Sequence, residues 1–306
     1  MQATTGSAGL RVSRQTMPDT SARPERPSVI RRFLMWWFDT PGSPYVNANV
    51  AIDMTAAQAY LAKVNAQDGP RVSLQHLLCG AVGRTLGEFP MARARILGHH
   101  IVPEDRVGVA MPVNLLGHAE GARRELGLVV IEDAQERDLR SLAKTTRETV
   151  GNERQGKTDN AFFKTMLRMV EQSNGPAMFA ALDAFDKARR SRRVDAQLRR
   201  FAPITTGLTN PGAAISEIDG VLVRGASVQI PMKLVHVATL WGITPIQQEV
   251  IPVDGEPAVR PMLPVLLTFD HRLMDGVYAG RVLKRFAAIL LDPEPVFGPD
   301  GRRPAS

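Results

Sequence analysis

Thr268-Phe269-Asp270-His271-Arg272-Leu273-Met274-Asp275-Gly276 is the stretch on which the fold of this chain turns. Val265 to Phe269 in front of it is an apolar run of strand length. Behind it, Val277 to Leu291 carries apolar residues at helical spacing and stops before Pro293. A strand that passes directly into a helix leaves His271 at the junction, with one acid just before it and another, Asp275, four residues on. A histidine there can present a ring nitrogen to a cavity, and an ordinary pKa of about 6.5 suits a general base near neutral pH. A lone histidine in a turn is more often structural. That bland assignment suits the other five: His76 in a helix, His99, His100 and His118 in polar loops, and His236 in an apolar strand. No pair of them has helical spacing with an acid, so no zinc or other metal site is expected.

Outward from that junction, strands and helices interleave. Tyr45 to Asp53 alternates with period two, as a half-buried strand does. Met54 to Val64 reads as a helix with Thr55 as a candidate cap, and Ser73 to Phe89 as a second, capped by Ser73 and stopped by Pro90. Short strands are expected at Ile101–Val102, Val107 to Val113 and Leu126 to Ile131, with the polar Asn114 to Glu125 as a loop. Leu139 to Arg154 is a charged amphipathic helix. Asn160 to Arg200 is mostly helical and interrupted at Ser173-Asn174-Gly175-Pro176. Further strands are expected at Ile204 to Asn210 and Leu234 to Leu240, with turns at Asp219-Gly220 and Asp254-Gly255. The interleaving favours one α/β domain over two.

Composition excludes several classes. At 306 residues the chain can bury a real core, and its single cysteine, Cys79, rules out an internal disulfide, as suits a reducing, cytoplasmic setting. No apolar run reaches the 18–20 or so residues of a membrane helix. Residues 1–27 lack the apolar stretch of a signal peptide and read as a disordered leader. The net charge of +7 is carried by arginine, since only seven of the 38 basic residues are lysine. Much of it gathers between Lys187 and Arg200, where no aromatic residue is interleaved, so phosphate or an acidic partner is favoured over nucleic acid.

Asp270-His271-Arg272-x-x-Asp275-Gly276, with the apolar helix that follows, resembles the C-terminal signature of the dihydrolipoamide acyltransferase catalytic domain of 2-oxo acid dehydrogenase complexes. The resemblance continues in order along roughly residues 28–296 of a catalytic domain expected at residues 28–298. It takes in Val72-Ser73-Leu74 through Glu88-Phe89-Pro90, Val107-Gly108-Val109-Ala110, Gly127 to Ala134, Gly207-Leu208-Thr209-Asn210-Pro211-Gly212, and Val253-Asp254-Gly255 through Arg260-Pro261-Met262. It implies an α/β fold, the chloramphenicol acetyltransferase-like two-layer sandwich with a mixed sheet flanked by helices. It implies His271 as general base, a hydroxyl at Thr209 as oxyanion donor in place of the family's serine, and Asp275 as a structural acid paired with Arg31 or Arg32. It also implies a homotrimer whose active site lies between subunits.

Three departures from the family shape the functional expectation. Residues 1–27 leave no room for a lipoyl domain, residues 299–306 are polar and read as a frayed tail rather than an apolar anchor, and residues 158–200 form a helical, basic insertion. The first expectation is therefore a stand-alone acyltransferase. It would move an acyl group, most simply acetyl, from coenzyme A or a carrier-protein thioester to a hydroxyl of a small molecule such as a specialised metabolite. Asn210, Arg189, Arg190, Arg192 and Arg193 are the candidate contacts for the coenzyme A phosphates or for an acidic carrier. The alternatives are a trans-acting dihydrolipoamide acyltransferase core and a catalytically retired trimeric scaffold.

Overall fold

The computed structural model describes residues 44–97, 100–114, 126–155, 161–172, 175–210, 221–225, 229–230, 233 and 235–303. The leader, Arg31, Arg32 and most of the Asn114 to Glu125 loop lie outside them. In chain order the elements are β1 (Tyr45–Asp53), α1 (Thr55–Asn65), α2 (Leu74–Glu88), a 3-10 turn (Pro90–Ala92), β2 (Arg95–Leu97), β3 (His100–Val102), β4 (Val109–Asn114), β5 (Leu126–Ile131) and α3 (Leu139–Arg154). Then come α4 (Ala161–Gln172), α5 (Pro176–Ala188), α6 (Arg192–Phe201), β6 (Thr206–Thr209), β7 (Thr239–Ile243), β8 (Gln247–Val253), β9 (Glu256–Asp270), α7 (Gly276–Leu291) and α8 (Glu294–Phe297).

The strands form a mixed sheet in the order β1-β9-β7-β6-β4-β5, with β8 paired to the first half of β9. β6 runs parallel to both β4 and β7, while β9 is antiparallel to β1 and β7. β2 and β3 make a separate hairpin. β9 is the organising strand: Met262 to Asp270 is buried along its whole length, between β1 on one edge and β7 on the other. Its first half leaves the sheet as a hairpin arm with β8. The arm turns at Asp254 and Gly255, both with positive φ (52° and 89°), as a two-residue loop matched to strand twist requires.

Period-two alternation sends neighbouring residues to opposite faces. Val109, Met111, Val129, Ile131, Leu208, Trp241 and Ile243 point into the main core, built with α1, α2, α3 and α7. The Trp241 and Phe286 rings lie 4.6 Å apart at its centre, and neither is exposed. Ala110, Leu128, Val130 and Leu240 point the other way, and there Met166, Val170, Met178 and Leu182 of α4 and α5 cover them. The inserted helices thus pack on the second face of the sheet.

Local chemistry sets the helix ends. Ser73 caps α2 in a capping box with His76, and Asp138 Oδ1 accepts from Ser141 N (2.8 Å) at the start of α3. Two expectations need correction. Thr55 is the first residue of α1 rather than its cap: Asp53 Oδ1 accepts from both Thr55 N (2.9 Å) and Thr55 Oγ1 (2.6 Å). The strand expected at Leu234 to Leu240 spans Thr239–Ile243, because pairing with β6 and β9 decides its bounds.

Residues 299–303, expected to fray, are held against the body. Gly301 O accepts from Leu139 N (3.0 Å), Arg84 Nη2 donates to Arg303 O (2.9 Å), and Arg140 Nε donates to Asp300 O (3.2 Å). Polar composition misleads there, because buried arginines satisfy the backbone carbonyls that an apolar tail would otherwise have to shield. Among the described residues no helix is long and apolar enough to cross a membrane.

Candidate active site

His271 stands exposed at the end of β9, one residue beyond the fully buried Asp270. The turn that carries it is tied at several points. Asp270 N donates to Ala238 O (2.9 Å), His271 N to Pro44 O (3.0 Å), and Leu273 N and Met274 N both donate to Asp270 O (3.0 and 3.2 Å). Asp270 Oδ1 also accepts from Arg272 N (2.9 Å), an Asx turn with His271 at its centre. The imidazole lies 6.2 Å from the Phe269 ring, with the planes 26° apart. Leu273 and Met274 are buried and anchor the far side. Asp275 then caps α7, accepting from Tyr278 N through Oδ1 (2.8 Å). Its expected partners Arg31 and Arg32 lie outside the described residues. A cleft of about 270 Å³ runs beside this turn, lined by Leu273, Met274, Asp275, Val277, Tyr278 and Arg281.

Within the turn itself, Asp270 is paired with an arginine, Arg272. Arg272 grips it with two bonds, Nε to Oδ1 (3.0 Å) and Nη2 to Oδ2 (2.7 Å), and His236 Nε2 meets Oδ2 at 2.8 Å. Burial by itself would raise the carboxyl's pKa. The bonds from His236 and Arg272 outweigh burial and hold it well below the usual carboxylate range. Burial lowers His236, whose Nδ1 accepts from Ile96 N at 3.3 Å, so the neutral ring carries its proton on Nε2 and donates it to Asp270.

Thr209 ends β6 and is half-buried, with the exposed Asn210 following. Strand register separates it from His271 within one chain. Thr209 is level with Gly242 of β7, and Gly242 with Leu266 of β9. Leu266 is five residues short of His271, about 16 Å along a strand. The two residues therefore lie toward opposite ends of the sheet, and the hydroxyl and imidazole of one protomer do not meet.

The arginines of the insertion divide. Arg190 and Arg193 are exposed, whereas Arg189 is buried against Asp186 (Nε to Oδ1, 2.6 Å). The side chain of Arg192 lies outside the described residues. Arg199 reaches inward, donating to Ile204 O (2.7 Å) and His236 O (3.3 Å) and pairing with Glu104 (3.3 Å). Arg95 of β2 bonds both Glu104 and Asp195 of α6. Sequence reasoning missed this network and the role of His236. The available signal was slight: Asp195 is the lone acid in a basic helix, and His236 is 34 residues from Asp270.

Comparison with known proteins agrees with this fold. The family model described as 2-oxoacid dehydrogenases acyltransferase (catalytic domain) matches residues 38–164 and 225–297, leaving out most of the inserted helices and β6. Over 72 residues the chain is 35% identical to the dihydrolipoyllysine-residue succinyltransferase component of the 2-oxoglutarate dehydrogenase complex of Bartonella vinsonii, a stretch covering 24% of this chain and 18% of that protein. The chain thus spans under a fifth of that relative.

Two solved structures share the fold, each at 18% identity. A probable dihydrolipoamide acetyltransferase from Listeria monocytogenes has a TM-score of 0.63 and is matched over 89% of this chain and 95% of that one. The Azotobacter vinelandii dihydrolipoamide acetyltransferase, in whose catalytic mechanism a serine, a histidine and an asparagine were investigated, has a TM-score of 0.60 over 92% and 98%. With more than half of its residues matched by the family model and its mixed sheet shared with these enzymes, the chain belongs to the acyltransferase catalytic-domain family of the 2-oxoacid dehydrogenases.

Proposed function

We propose that this chain transfers an acyl group between a dihydrolipoyl thiol and coenzyme A, with His271 as general base. The observation that carries the reading is an exposed imidazole held at the tip of a buried strand by ties on both sides, with a cleft lined by the residues that follow from Leu273. His271 takes the proton of the attacking thiol, and the sulfur adds to the thioester carbonyl. The negative charge that develops on the carbonyl oxygen requires a positioned donor, for which Thr209 Oγ1 is the candidate. Collapse of the tetrahedral species breaks the old carbon–sulfur bond, and the imidazolium returns its proton to the departing thiolate. In the Azotobacter enzyme the histidine and asparagine lie four residues apart, as His271 and Asp275 do here.

Because Thr209 and His271 are far apart in one protomer, the mechanism requires a second copy to bring the threonine of one chain to the histidine of another, and we propose a homotrimer. Transfer to a small-molecule hydroxyl, the first expectation from the sequence, has weaker support, since the relatives named above act on dihydrolipoyl groups. Those relatives carry succinyl and acetyl groups, so both are donors to test. The assay is formation of free coenzyme A, resolved by chromatography, from acetyl- and succinyl-coenzyme A with dihydrolipoamide as acceptor. His271→Ala should lower the rate at least about 10²-fold. Unchanged turnover would overturn the mechanism, and a fully active monomer by light scattering would overturn the trimer.

A further inference from the structure

We propose that His236 is a positioning residue for His271, acting through Asp270, and that helix α6 of the insertion holds it in place. This inference rests on the acyl-transfer reading above. Asp270 takes bonds on both of its oxygens. Oδ1 receives Arg272 N, which closes the turn around His271, together with Arg272 Nε, while Oδ2 receives the His236 proton and Arg272 Nη2. Without His236, the side-chain bonds described for this unexposed carboxylate all come from Arg272, so the carboxylate is free to rotate with that one flexible guanidinium, and the turn loses its template.

His236 is in turn fixed from two sides. Ile96 N of β2 sets its tautomer, and Arg199 of α6 bonds its backbone carbonyl. Arg199, Arg95, Asp195 and Glu104 interlock α6 with the β2 strand and the residues after β3. A small crevice at this junction is lined by Arg189, Asp195, Leu198, Arg199, Ala202, Val235 and His236. The chain of contacts therefore runs from a segment outside the family match to the turn that bears the base. Small residues of no charge would fill the crevice more simply. The retained charges serve geometry, with each carboxylate directed at a named donor.

The test compares His236→Leu, which removes the donor, with His236→Gln, which keeps an N–H at similar reach. Both are read by thermal melting, by kcat and KM in the thioester assay, and again in a His271→Ala background. The expected result for His236→Leu is a fall in kcat of about 10- to 100-fold, as misplacement of a base by about 1 Å produces, with KM within twofold. The glutamine variant should recover most of kcat, and neither substitution should lower the rate further once His271 is alanine.

Unchanged kcat in a folded His236→Leu protein would overturn the proposal, and so would an equal loss in the His271→Ala background. If His236→Leu fails to fold, Arg199→Met decides, with a kcat loss of two- to tenfold at constant KM expected and no kcat change overturning it. Full activity of His271→Ala would instead overturn the acyl-transfer reading itself.

Discussion

Gly108→Ala gives the sharpest test of how the central strands are assembled. A Cβ at this position would lie 1.4 Å from Pro203 O, where a carbon–oxygen contact needs about 3.3 Å. Relief requires the two backbones to part by about 2 Å. Four bonds span that gap: Thr205 N and Thr206 N donate to Gly108 O (2.9 and 3.1 Å), Gly108 N donates to Thr205 Oγ1 (3.0 Å), and Thr205 Oγ1 donates to Gly108 O (3.3 Å). Each is worth about 0.5–1.5 kcal/mol net, and overpacking adds about 1–3 kcal/mol, so the substitution should cost about 3–9 kcal/mol. For a chain of this size each kcal/mol lowers Tm by about 2–4 °C, so thermal melting should show a drop of about 6 °C or more, or no cooperative transition. The lost contact pairs β4 with β6, the strand that carries Thr209, so turnover should fall as well. The control is Gly280→Ala in α7, where a Cβ meets nothing within 4 Å and the gain should be about 0.5–1 kcal/mol. A Gly108→Ala protein melting within 2 °C or so of the parent would refute the reasoning.

Thr209→Val should lower kcat about 10²–10³-fold and Thr209→Ser should retain activity, because the hydroxyl and not the methyl is required; equal rates would remove Thr209 from the oxyanion site. Charge reversal of the exposed Arg190 and Arg193 should raise the donor KM. The same change at Arg189 should instead lower Tm, since a new carboxylate would face Asp186, and kinetics and melting read the two effects apart. Phe286→Ala should cost about 3–5 kcal/mol in denaturant titration, its ring being fully buried against Trp241.

Stability should also decline as pH falls below about 6.5. Burial lowers both His76, to about 4, and His236, so the unfolded chain binds protons in a range where the folded one does not. Around His236 the facing charges are Asp270 and Arg272 at the end of β9, Arg199 and Asp195 of α6, Arg189 and Arg95. His236→Gln should flatten that slope, and melting curves between pH 5 and 8 check it.

The sequence by itself determined the elements whose causes are local. Period-two alternation placed β1, helical spacing placed α2, α3 and α7, the apolar run before Asp270 located the end of β9, and His271 was legible because a strand meets a helix there. Where pairing or ionic contacts decide, it was silent or wrong. The start of β7 depends on register with β6 and β9, and the tail is held by Arg84 and Arg140 from distant helices. Charge counted along the chain made the insertion look like a row of outward arginines offered to phosphate or an acidic partner. Tertiary structure turns Arg189 and Arg199 inward, because their acids, Asp186 and Glu104, are themselves shielded from water there. Only the folded sheet could assign a partner to Asp270 or show that Thr209 and His271 stand apart in one chain. Hydrogen bonds between residues far apart in sequence depend on where the backbone passes, and composition and spacing carry no record of that.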